Sequence, residues 1–131
     1  VQKSATVAVI SPDKKLLILR RGPTAPCMPG RYCLPGGRVE PKEDKSYTAS
    51  RELSEETGIS YPVDELKTIN IKYNYGYEKI VWIAHVDSTN VILNWEHDDY
   101  QWITEQDAFV TDLVPGLGVT IKTLYDRGFV M

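Results

Sequence analysis

The chain has 131 residues, 42% hydrophobic and 25% charged, with a formal net charge of −3 at pH 7. That size and balance suit one globular domain with its own core, read here as a single domain over residues 1–131. An acidic balance without a Lys/Arg stripe excludes duplex nucleic-acid binding by phosphate neutralisation, and no apolar run approaches the ~20 residues of a membrane span.

Taken in order, Val1 reads as a trimmed N-terminus, and no signal-peptide pattern follows it. Ser4 to Ser11 reads as a first strand, Ser11-Pro12-Asp13-Lys14 as a turn, and Lys15 to Arg21 as a second strand in a hairpin with the first. Arg20 and Arg21 are either strand-end charges or bidentate phosphate ligands. Gly22 to Arg31 is a loop with three prolines and two glycines, followed by a short strand over Tyr32 to Leu34. Cys27 and Cys33 are too few for a disulfide scaffold and match no zinc spacing. They are read as reduced thiols of a cytoplasmic protein.

The densest functional cluster is Gly37 to Ile59, GRVEPKEDKSYTASRELSEETGI. Between Asp44 and Gly58 the pattern predicts a helix, with the Asp44 carboxylate as N-cap and Gly58 just past the end. On it Glu52, Glu55 and Glu56 stand at i, i+3 and i+4 and so share a face, while Ala49 and Leu53 face the core. Like charges so placed weaken a bare helix by a few tenths of a kcal/mol per pair. A divalent cation turns that cost into affinity, and hard oxygen ligands suit Mg²⁺ or Mn²⁺. The alternative is a solvated acidic face partnered by Lys42, Lys45 and Arg51.

After the helix, Tyr61 to Lys72 leads into a strand. Tyr73, Tyr75 and Tyr77 share one side if the strand continues through Gly76; if Gly76 turns the chain, Tyr77 starts the next strand. Their aromatic rings serve either packing or base stacking. Ile80 to Val86 is a strong strand. Glu96 to Tyr100 is read as an acidic loop, His97 as a hydrogen-bonded structural histidine, and Gln101 to Ile103 as a short strand. Thr104 to Asp107 has N-cap character. Pro115 to Arg127 closes the chain as a helix with Val119, Ile121, Leu124 and Tyr125 on its packed side. About six strands, a central helix and a C-terminal helix result.

The central stretch resembles the Nudix hydrolase family, whose box is G-x5-E-x7-R-E-U-x-E-E-x-G-U, with U a bulky aliphatic residue. Gly37, Glu43, Arg51, Glu52, Leu53, Glu55, Glu56, Gly58 and Ile59 fill every specified position. MPGRYCLPGGRVE before the helix and EHDDYQWI after it extend the likeness. The resemblance implies an α/β fold, an α/β/α sandwich around a central mixed sheet. It also implies Mg²⁺-dependent hydrolysis of a pyrophosphate bond in a nucleoside diphosphate linked to another moiety: a nucleoside triphosphate, dinucleoside polyphosphate or ADP-sugar. Mn²⁺ could substitute, and more than one ion is expected with substrate bound.

By position, Glu52 and Glu56 are expected to hold the central metal, with Glu55 adding a ligand, Glu43 assisting through water and the Gly37 carbonyl joining the shell. Arg51 orients the glutamates. Glu96 completes the metal site or acts as base, ahead of Asp98, Asp99 and Glu105. No Asn stands near Pro115–Gly118, which argues against oxidised dGTP as substrate. The alternative within the family is a silent nucleotide-sensing or partner-binding domain. A calcium loop is disfavoured because its 12-residue spacing is missing. The partner is a nucleotide-type small molecule, and both monomer and homodimer stay open.

Overall fold

The computed structural model describes residues 3–131, the side chain of Tyr75 excepted. Its first strand, β1 (Ser4–Ile10), is apolar on both faces: Ala5, Val7 and Val9 join one core layer, Ala8 and Ile10 the other. A strand so patterned belongs in the middle of a sheet covered on both sides.

Strand β2 (Leu16–Arg21) follows a tight turn, closed by Ser11 N–H to Lys15 O at 2.9 Å. The expected hairpin barely extends beyond this turn, with β1 and β2 in register only at Ile10↔Leu16. The chain then separates into longer partnerships. β6 (Glu78–His85) runs parallel to β1 from Val7↔Trp82 to Ile10↔His85, and β7 (His97–Ile103) runs antiparallel along β2. β3 (Tyr32–Cys33) lies on β2, β4 (Gly36–Arg38) on β1 and β5 (Lys67–Lys72) on β6, all antiparallel. The result is a mixed seven-stranded sheet ordered β3-β2-β1-β6-β5, with β4 and β7 branching from β1 and β2.

Two helices cover its faces. α1 (Lys45–Thr57) buries Ala49 and Leu53 completely against Val7, Val9, Leu17 and Trp82. α2 (Leu117–Asp126) buries Leu117, Ile121 and Leu124 against Ala8, Ile18, Val81 and Ile83. This is an α/β/α sandwich. Each fully buried leucine contributes roughly 1.5–3 kcal/mol. Val119 and Tyr125 were expected on the packed side of α2 and are exposed; the buried stripe runs i, i+4, i+7 from Leu117.

Two local expectations change, and one left open is decided. The Asp44 carboxylate makes no capping bond, although Gly58 closes α1 with φ +75° and donates to Ser54 O. Of the two readings of the tyrosine run, the turn at Gly76 is found: Asn74–Gly76 form a 3₁₀ turn with Gly76 at φ +76°, and the next strand starts at Glu78. Tyr75 as a stacking side chain lies outside the described residues. The acidic segment after Glu96 is strand, not loop: Arg20 holds Asp98 at 2.7 Å and the Tyr32 hydroxyl donates to Asp99 at 2.5 Å. Among the described residues no helix is long and apolar enough to cross a membrane.

Candidate active site

Strand β4 lays the Gly36–Gly37 backbone across the C-terminal half of α1. A Cβ on Gly36 would run into the Ala5 carbonyl oxygen, and one on Gly37 into the Glu52 carboxylate. Glycine therefore permits an approach that any side chain would block. The Gly36 N–H uses it to donate to Glu56 Oε1 at 3.0 Å.

Glu56 is 2% exposed, and among the described residues no Lys, Arg or His lies within salt-bridge distance of it. Burial pushes its carboxyl pKa up, with Glu52 and Glu96 adding repulsion and the Gly36 N–H opposing. Burial also raises Glu52; Arg51 opposes that shift, while Glu55 and Glu96 reinforce it. These mutual influences bring Glu52, Glu56 and Glu96 into one electrostatic cluster.

Beside the cluster, Arg51 gathers the remaining acids. Its Nε and Nη2 grip Glu43 at 2.7 and 3.0 Å, and its Nη1 reaches Glu52 and Glu55, each at 3.0 Å. Thr48 Oγ1 and the Glu40 N–H also donate to Glu43, at 2.6 and 3.0 Å. Arg51, then Thr48, hold the Glu43 carboxyl down to about 2. Glu55 is the solvent-side member, paired among the described residues only with Arg51. Lys42 and Lys45, the alternative partners, make no ion pair among the described residues.

Glu96 sits in the turn before β7. Its Oε1 accepts from Asn94 Nδ2 at 3.3 Å, and its carbonyl accepts from the Gly22 N–H at 3.0 Å. With Glu56, Gly36, Gly37, Arg21 and His97 it lines a cavity of about 280 Å³. Arg21 is thus the arginine beside the acids; Arg20 is committed to Asp98. A bulge opposite Asp98, between Arg20↔Asp99 and Arg21↔His97, turns His97 inward. His97 Nε2 lies 3.5 Å from Cys33 Sγ, and its buried Nδ1 has no hydrogen-bond partner among the described residues. Burial lowers the His97 pKa and raises that of Cys33 to about 11. Glu105 stands beyond the opposite end of β7, where its N–H bonds Met131 O, away from the acids.

The donor set is hard carboxylate oxygen, and its most buried member lacks a positive partner, so the residues fit a divalent cation such as Mg²⁺. Among the described residues no three acidic, His or Cys side chains already converge as a metal cage. Arg51 draws Glu52 and Glu55 toward itself instead.

A second cavity, of about 490 Å³, adjoins the first and shares Cys33 and Leu34 with it. Tyr73, Tyr77, Pro115, Gly116 and Leu117 wall it; Thr6, Lys79 and Val81 line its sheet side. Tyr73 and Tyr77 rings lie 5.8 Å apart, and the Tyr73 hydroxyl bonds Thr120 Oγ1 at 2.7 Å. Sequence reasoning missed Lys79, Thr6, the Gly36 amide and Trp95, which stands 80% exposed at the first cavity's rim. Lys79 had one signal: it shares its strand face with the apolar Val81 and Ile83.

The NUDIX domain family model matches residues 1–124. A CTP pyrophosphohydrolase of Escherichia coli is 30% identical over 109 residues, spanning 82% of this chain and 80% of that protein. An octanoyltransferase of Myxococcus xanthus is 27% identical over 135 residues, and the match takes in 92% of this chain but only 36% of that longer protein. Among solved structures, an Ap4A hydrolase of C. elegans superposes with a TM-score of 0.73 at 22% identity, covering 95% of this chain and 97% of that one. At that identity the likeness speaks for the fold.

Proposed function

The chain belongs to the NUDIX domain family and is a hydrolase of phosphoric anhydrides, and from that premise we propose that it cuts a pyrophosphate bond within a nucleotide with the help of Mg²⁺. The observation that carries the proposal is Glu56, a buried carboxylate beside Glu52 and Glu96 with only the Gly36 N–H against it. Such a group is costly until a cation arrives.

Glu52 and Glu56 would hold the central ion, with Glu55 as a further ligand, Glu43 assisting through water and the Gly37 carbonyl joining them. More than one ion accompanies the substrate. When bound, the metal screens phosphate charge, polarises a phosphoryl oxygen and lowers the pKa of a water. Arg51 keeps Glu43 ionised and aims Glu43 and Glu52. Arg21 sits where it can pair with a phosphate oxygen. The nucleobase enters the tyrosine-walled cavity, and its phosphates cross Leu34 toward the acids. Glu96 takes the proton of the attacking water. The water oxygen bonds to phosphorus, the bridging P–O bond breaks, and the leaving phosphate carries away its electron pair. Little covalent work falls to the protein, so positioning and electrostatics set the rate.

The test is a product assay with nucleoside triphosphates, dinucleoside polyphosphates and ADP-sugars, with and without Mg²⁺. The expected result is a nucleoside monophosphate plus pyrophosphate or the phosphorylated remainder, abolished by EDTA. Metal-independent turnover, or cleavage outside the pyrophosphate, would defeat it.

A further inference from the structure

The sheet side of the tyrosine-walled cavity carries two polar groups without partners among the described residues. On β6, Lys79 points to the same side as Val81 and Ile83, which are each 1% exposed. Among the described residues it is the only charged one lining this cavity. Among the described residues no carboxylate lies within salt-bridge distance of its ammonium, and it makes no hydrogen bond. Burial lowers its pKa, the direction expected of an amine partly stripped of water.

Thr6 stands on the neighbouring strand. The parallel register Val7↔Trp82 puts it beside Val81, one diagonal step from Lys79. Its hydroxyl also makes no hydrogen bond among the described residues, whereas the Tyr73 and Thr120 hydroxyls in the cavity bond each other.

We infer that Lys79, with Thr6, reads a carbonyl oxygen on the nucleobase, so that this hydrolase selects nucleotides of uracil, cytosine or guanine over those of adenine. The inference rests on the placement of the base in this cavity under the proposed function. An ammonium offers three donors and no acceptor. Among the tyrosine rings it needs an acceptor to replace lost water. A base carbonyl supplies one in the ring plane, where stacking leaves the edge free. Adenine has no carbonyl; its in-plane acceptors are ring nitrogens, and N1 and N7 each lie beside the exocyclic amino donor, so the desolvated ammonium gains less there. Sites that hydrogen-bond a ligand group discriminate strongly against analogues lacking it, because a buried polar group is then stranded.

The experiment is calorimetric binding of UMP, CMP, GMP and AMP at saturating Mg²⁺, to the wild type, Lys79→Met, Lys79→Arg and Thr6→Val. Wild type is expected to bind the three carbonyl-bearing monophosphates at least ~10-fold more tightly than AMP. Lys79→Met brings that ratio to within about threefold of one, Lys79→Arg retains most of it, and Thr6→Val lowers it part-way. Thermal melting of each variant separates loss of fold from loss of selection. AMP binding as tightly as the others, a ratio unmoved in Lys79→Met, or no binding of any monophosphate overturns the inference. Because the readout is binding, failure of hydrolysis is seen separately in the product assay and does not count here.

Discussion

The Gly36 amide donates to Glu56 Oε1 at 3.0 Å, and this single bond is what the protein itself offers a carboxylate that is only 2% exposed. Ionising Glu56 in the native state is therefore unfavourable, and its pKa lies above the reference 4.5. The unfolded chain releases that proton more readily, so native stability falls as pH rises above 4.5. In metal-free protein at pH 8, Glu56→Gln should melt higher than wild type, on the order of 5 °C for a domain of this size, while at pH 4 the two should converge. Adding Mg²⁺ should raise the wild-type melting temperature and leave the variant nearly unchanged. Scanning calorimetry at the two pH values checks both; a less stable variant at pH 8 contradicts the account.

Glu43 behaves oppositely. Arg51 and Thr48 depress its carboxyl from 4.5 to about 2. Its stabilising contribution is present above 4.5 and is lost as pH falls through about 2. Glu43→Gln should therefore melt lower than wild type at pH 6, with the gap narrowing between pH 4.5 and 2. Thermal melts across that window test it, and a gap constant with pH would mean the ion pair to Arg51 is not its source.

Gly37 makes a steric prediction. A Cβ there meets the Glu52 carboxylate, so Gly37→Ala must displace a proposed metal ligand. Stability should fall by roughly 1 kcal/mol or less, since the clash falls on a side-chain tip. Turnover should fall by ~10²-fold, with weaker Mg²⁺ dependence. Turnover against Mg²⁺ concentration reads both, and near-wild-type kinetics would place Glu52 outside the reaction.

The helix that carries these acids is plain in the sequence, because its glutamate spacing, the buried Ala49 and Leu53, and Gly58 are all local signals. What the sequence hides depends on distant partners. Asp98 and Asp99 are poor strand formers, and only Arg20 and Tyr32, 78 and 67 residues away along the chain, accommodate them in β7. The expected hairpin gives way because β4 and Pro35 take the rest of the β1 edge that β2 would extend along. Lys79 shares its strand face with apolar residues visible in the sequence, yet the cavity it lines exists only once α2 and the 3₁₀ turn after β5 close around it. The Asp44 cap fails even though its residue type is right, since type gives preference and geometry gives the bond.

The most direct measurement compares wild type with Glu56→Gln in a Mg²⁺-dependent product-release assay, using the best nucleotide found in the product assay. The account predicts turnover by the wild type and a loss of at least ~10²-fold in the variant, with its fold intact by melting. Equal turnover by the two proteins, or no turnover by either while a nucleotide raises the melting temperature, contradicts it.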